Sequence, residues 1–116
     1  MKWFREEEFL CLCGCGMSVN QDLKNMLDLA REHSGVPFKI NSAARCEAHN
    51  KSVGGSPTSS HLKGLAVDIH CDNPLTLAKI IYGLTQVGFK RFGISDKDNF
   101  IHADIDYNKQ PAIWSY

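Results

Sequence analysis

The apolar pattern predicts an α+β fold: about two main helices packed on a small antiparallel sheet, in a single domain spanning residues 1–116. Three observations predict it. Two stretches repeat apolar residues at helical spacing. About four shorter stretches alternate apolar and polar residues. The connections between the later strands are of hairpin length.

The elements follow in order. Asn20 and Asp22 precede Leu23, Met26, Leu27 and Ala30, which share one helical face. The spacing predicts a helix from about Gln21 to His33, stopped by Gly35 and Pro37. Pro37 to Ser42 alternates, with Phe38 and Ile40 on one side, and predicts a short strand. Arg45 to Ser60 is rich in Gly, Ser, Asn and Pro, and predicts a long ordered loop or a short helix plus loop. Gly64 to His70 predicts a second strand, with Leu65, Val67 and Ile69 on one face and Ala66, Asp68 and His70 on the other. Asn73 and Pro74 suit the cap and first residue of a helix through Leu77, Ile80, Ile81 and Leu84, ending near Gly88. Phe89 to Ile94 predicts a third strand, and Ser95 to Asp98 a turn. Phe100 to Asp106 predicts the last strand, with Ile101, Ala103 and Ile105 opposite Phe100, His102, Asp104 and Asp106. Trp3, Phe4 and Phe9 are expected to anchor the N-terminal segment, and Trp114 and Tyr116 the C-terminal one. Glu6, Glu7 and Glu8 read as a solvated face.

Composition narrows the function classes. Lys and Arg number 13, and so do Asp and Glu, so the formal net charge is zero. A dedicated nucleic-acid binder needs a basic excess for its phosphate contacts. No apolar run approaches the roughly 20 residues of a membrane span. The acidic residues near Met1 fall where a secretory leader would be apolar, so the chain reads as made in the cytoplasm and unexported. It is expected to be a monomer.

Five cysteines stand out: Cys11, Cys13, Cys15, Cys46 and Cys71. An odd count without an export signal argues against a disulfide scaffold. Cys11, Cys13 and Cys15 alternate and would share one face of a strand, as in a zinc-ribbon-like module. They lack both the usual two-to-four-residue gap and a paired second half. They therefore read as core or loop residues.

The polar residues within the strands carry more. Asp68 sits in Leu65-Ala66-Val67-Asp68-Ile69, and His102 in Phe100-Ile101-His102-Ala103-Asp104-Ile105. A buried carboxylate is costly unless paired or metal-bound. An ion pair with Arg45 would serve Asp68; so would a metal. His61, at the end of the Gly/Ser loop, supplies a third metal-ligand side chain. Two imidazoles and one carboxylate suit zinc with one open position. Iron uses the same set, so ligand type leaves the metal open.

These residues also carry a resemblance. The segment Ser59-Ser60-His61-Leu62-Lys63-Gly64-Leu65-Ala66-Val67-Asp68 resembles the Ser-x-His-x-x-Gly-x-Ala-x-Asp signature of the zinc D-alanyl-D-alanine carboxypeptidase family. Ser42-Ala43-Ala44-Arg45-Cys46-Glu47-Ala48-His49-Asn50 resembles that family's Ser-Gly-Tyr-Arg-x-x-x-x-Asn segment. Val53-Gly54-Gly55-Ser56 is similar to its Gly-Gly loop, and Phe100-Ile101-His102-Ala103-Asp104 to its second ligand strand. Four blocks in register cover about Ile40 to Asp106. The short peptidoglycan peptidases of phages, prophages and bacteria are the nearest in kind; lysostaphin-type enzymes and the hedgehog domain belong to the wider superfamily.

The resemblance implies a zinc peptidase acting on the peptide stems of peptidoglycan, with His61, Asp68 and His102 as ligands. It implies that Arg45 binds a substrate carboxylate or polarises the scissile carbonyl. Ser59 and Trp114 are expected to edge the cleft. Several relatives carry a catalytic Glu three residues before the last ligand; here that position is Asn99. Asp104 is therefore expected as general base or as the acceptor that fixes an imidazole, with Asp98 and Asp96 as alternative bases. His70 is expected to face the cleft, stabilising an oxyanion or lining the wall. A phage-type relative without a leader would reach the cell wall through a holin pore. The missing acid also leaves open a non-catalytic zinc-binding module of the same fold, binding cell-wall peptide or a protein partner.

Overall fold

The computed structural model describes Met1–Tyr116. Helix α1 spans Gln21–Ser34, opened by the Asn20 side chain, which accepts the Asp22 N–H at 2.7 Å, and closed by Gly35 at φ 72°. Helix α3 spans Pro74–Gln86, with the Asn73 side chain accepting from Thr76 N–H at 2.8 Å. Both follow the expected caps. The two helices cross closely at Gly83: a Cβ there would lie 2.3 Å from the Ala30 carbonyl oxygen, so the crossing needs a glycine. Between them the Gly/Ser-rich stretch adopts the second of its two expected forms. It contains the short helix α2, Glu47–Ser52, followed by loop.

The sheet has five strands: β1 Ile40–Ser42, β2 Ala66–His70, β3 Arg91–Ser95, β4 Phe100–Asp104 and β5 Ala112–Ser115, in the order β1-β2-β4-β3-β5. Pairs β1–β2, β2–β4 and β3–β4 are antiparallel, as expected. The edge strand β5 was not expected, and it runs parallel to β3. Its Ala112, Ile113 and Ser115 are exposed, so no buried-face alternation betrays it in the sequence.

One face of the sheet, with Val67, Ile69, Phe92, Ile101 and Ala103, packs against Leu23, Leu27 and Ala30 of α1 and Ile80 and Leu84 of α3. Each large apolar side chain buried there contributes about 1.5–3 kcal/mol. Phe4 and Phe9 join this core, with ring centroids 5.1 Å apart, while Trp3 stays half-exposed beside α1. Glu6, in the expected solvated face, forms an ion pair with Lys24 at 2.6 Å. No helix is long and apolar enough to cross a membrane.

The opposite face carries the polar residues. Strand register lines up Ser42, Asp68, His102, Gly93 and Trp114 in one row across all five strands. The row is possible because Gly93 has no side chain: a Cβ there would lie 2.4 Å from the Trp114 indole nitrogen. The Trp114 ring covers that gap and comes within 5.5 Å of the His102 ring.

Candidate active site

Asp68, His102 and Trp114 of this row line a cavity of about 570 Å3. His61 reaches it from a different element. It lies in a 3-10 turn, Ser60–Lys63, whose entry is capped by Ser59 Oγ accepting the His61 N–H at 3.2 Å, and whose exit is the left-handed Gly64 at φ 69°. The local sequence thus explains the turn, and the turn delivers a nearly fully buried imidazole to Asp68 of β2.

His61, Asp68 and His102 converge, with one ligand-type atom from each lying within 4.8 Å of the others. His61 Nε2 is 3.2 Å from Asp68 Oδ1, and His102 Nδ1 is 3.0 Å from the same oxygen. Each ring spends its other nitrogen outward. His61 Nδ1 donates to the Ala43 carbonyl oxygen at 2.6 Å, and His102 Nε2 donates to Asp104 Oδ2 at 2.7 Å. A carbonyl and a carboxylate accept only, so these contacts assign the outward N–H of each neutral ring. The inward nitrogens then turn lone pairs toward the Asp68 carboxylate. Three acceptors facing one another need a cation or added protons between them. The donor set therefore fits a metal ion with N, N and O ligands.

The alternative to a cation is added protons on the inward nitrogens. In that protonated state burial works against the charged form of Asp68, but N–H groups of His102 and His61 donate to it, outweigh burial and hold its carboxyl well below the usual carboxylate range. Burial would lower His102, yet Asp104 and Asp68 outweigh that and raise it above the ordinary imidazole value.

Asp104 is engaged on both oxygens. Oδ2 accepts from His102, while Oδ1 accepts from Arg91 Nε at 2.8 Å and from the Asp106 N–H at 3.1 Å. Burial opposes its ionisation, but His102, the Asp106 amide and Arg91 keep its pKa below the ordinary value. A carboxylate so held is a poor proton acceptor and a good clamp on an imidazole. Of the two roles expected for Asp104, the geometry serves the second.

Arg45 lines the cavity but does not pair with Asp68. Its Nη1 donates to Asn50 Oδ1 at 3.2 Å, and its Nε is buried without a partner. Burial pulls the guanidinium below its ordinary value against the attraction of Asp68, and it stays charged. Gly55 packs so tightly on this pair that a Cβ would meet Asn50 Oδ1 at 2.1 Å and Arg45 Nη1 at 2.8 Å. The Gly-Gly loop is therefore a mould for the Arg45 side chain.

Ser59, Trp114 and Asp98 also line the cavity. Two expected residues do not reach it. His70 sits at the end of β2, partly exposed, with Nε2 3.7 Å from Asp72. It shares the Asp68 face but is carried past the cavity by one strand repeat. Asp96, in the β3–β4 turn, lines a separate depression together with Cys71 and Pro74.

A family model described as Peptidase M15 matches residues 2–104. The chain belongs to the peptidase M15 family. A search of curated proteins finds no match. Membership in M15 makes this a peptidase of a metal-dependent family, and the resemblance read from four sequence blocks is borne out at that level. Within the M15 chain, several site residues escaped sequence reasoning. Tyr116 lines the cavity beside Trp114, with ring centroids 6.4 Å apart. Arg91 faces Asp104 through strand register, and Ala43 acts through its backbone carbonyl. Only the register could have revealed Arg91; a backbone acceptor leaves no mark in a sequence.

Proposed function

We propose that this M15 peptidase hydrolyses peptide bonds in peptidoglycan stem peptides or cross-links, using zinc held by His61, Asp68 and His102. The observation that carries the reading is the convergence of two outward-clamped imidazoles and one carboxylate at the floor of an open cavity, beside an arginine with unused donors. Zinc there would supply a nucleophilic water at neutral pH and positive charge for the scissile carbonyl.

The chain's own residues supply the rest. Ala43 and Asp104 fix the tautomers of His61 and His102. The Arg45 fork takes a substrate carboxylate or carbonyl, and the free carboxylates of stem peptides match it. Trp114 and Tyr116 form one wall, and Ser59 also lines the cavity. Asp98, exposed at the cavity rim, takes the proton from the attacking water and returns it to the leaving amine. Asp104 keeps the orienting role.

The test is mass spectrometry of muropeptide digests, with and without chelator. Chelator-sensitive cleavage supports the reading, and the product masses identify the bond. Zinc binding without cleavage of any peptidoglycan preparation would instead favour the non-catalytic module that the Asn99 position motivates. Asp98→Asn should keep zinc and lose turnover. Asp104→Asn should weaken zinc binding by about 10–100-fold. Full turnover in Asp98→Asn would return the base to Asp104.

A further inference from the structure

A second cluster of metal-ligand side chains lies outside the cavity. Cys11, Cys13, Cys15 and Cys46 bring their four sulfurs within 4.8 Å of one another. The Sγ–Sγ separations are 3.4 Å for Cys11–Cys13, 3.5 Å for Cys13–Cys46 and 3.9 Å for Cys11–Cys46. A tetrahedron with zinc–sulfur bonds of about 2.3 Å has edges of about 3.8 Å. These three sulfurs thus form a triangle close to one face of such a tetrahedron, and Cys15 is near enough to be its apex. A disulfide joins sulfurs in pairs; here each of three sulfurs approaches two others comparably. A cluster of several irons would spread the thiolates further.

The backbone is shaped for this convergence. The segment is a loop, one of the two placements expected for these cysteines. Cys11 N–H donates to Met17 O at 2.8 Å, and Gly14 N–H to Cys11 O at 3.2 Å. Gly14 at φ 83° and Gly16 at φ 89° supply the left-handed turns that fold the loop back. Cys11 is buried, whereas Cys13 and Cys15 are exposed, as is Leu12 between two of the cysteines. The fourth ligand was invisible in the local spacing because it comes from a segment distant in the chain. Cys46 follows Arg45 directly, and its sulfur accepts the His49 N–H at 3.4 Å, a contact that favours a thiolate. The paired half that Cys-x-Cys-x-Cys lacks is one cysteine, 31 residues after Cys15.

We propose that Cys11, Cys13, Cys15 and Cys46 form a closed tetrathiolate site for one soft tetrahedral divalent ion, zinc first, which pins the N-terminal loop to the base of the Arg45 segment. All four positions are protein ligands, so the site is structural and leaves no place for substrate. Cys71 is excluded: it is buried elsewhere, with its sulfur on Asn73 O. Because Arg45 N–H donates to His61 O at 3.1 Å, the ion would also brace the backbone between the arginine and the first imidazole.

The wild-type protein, stripped and reloaded with cobalt(II) alone, tests this without any variant. Intense thiolate-to-metal charge transfer in the near ultraviolet is expected. A spectrum showing only the weak visible bands of a nitrogen–oxygen site would overturn the proposal. Elemental analysis of zinc-grown protein should lose one ion per chain in Cys15→Ser and regain it in Cys15→His. An unchanged metal content in Cys15→Ser would overturn it. Denatured, metal-free protein kept from reductant and oxidant should titrate all five thiols; one thiol would mean two disulfides in place of the site.

Discussion

The two ligand clusters differ in how they are built. The thiolate cluster takes three of its four ligands from a single loop, Cys11–Cys15, and closes on Cys46. The His61–Asp68–His102 cluster takes its ligands from a 3-10 turn and two paired strands, and it opens into a cavity. Soft, closed coordination holds chain segments together; mixed, open coordination leaves room for substrate. On the assignments proposed above, local ligand density marks a staple, whereas the open cluster draws on rigid elements distant in sequence.

The sharpest way to break that comparison is to damage each cluster in turn. His61→Ala should lower turnover on the order of a thousandfold or more, since several kcal/mol of charge stabilisation go with the metal. It should leave the cobalt–thiolate band intact. Cys15→Ser should act the other way, lowering the Tm by roughly 5–10 °C while most turnover survives below the new Tm. Loss of turnover well below that Tm would merge the two clusters into one functional unit.

A smaller effect is expected at the residue that joins them. Arg45→Lys keeps the charge but loses the fork and its fit to Asn50 and Gly55. KM on a substrate with a free carboxylate should rise about 10–100-fold with little change in Tm, measured by steady-state kinetics and calorimetry. An unchanged KM would remove Arg45 from the substrate.

The smallest effect concerns stability alone. Asp106 is buried, accepting from Ser60 Oγ at 2.8 Å and Lys63 Nζ at 3.1 Å. Burial opposes its charge, but Ser60 and Lys63 outweigh it and hold the carboxyl below the usual range. A folded-state pKa below the unfolded value stabilises the fold above about pH 4 and loses that contribution as pH falls further. Asp106→Asn should therefore cost about 1–3 kcal/mol at pH 7, and urea melts should show the gap to wild type shrinking below about pH 4. A gap constant with pH would show that shape, not charge, matters there.

The sequence by itself determined the helices, because their caps and apolar stripes are local: Asn20 with Gly35, and Asn73 with Pro74, set their ends within two residues. It also determined four strands through alternation, and the ligand types at His61, Asp68 and His102 through polar residues where apolar ones belong. Tertiary structure decided what depends on pairing between distant segments. Register set Arg91 against Asp104 and so made Asp104 a clamp on His102. Strand β5 formed because an edge strand needs a neighbour's hydrogen bonds rather than a buried face. Chain reversal carried Cys46 to the Cys11 loop, and the strand rise along β2 carried His70 past the cavity. Local propensity is written in adjacent residues, but a contact between separate segments, whether Arg91 with Asp104 or Cys15 with Cys46, is set only when the core closes and fixes every register at once.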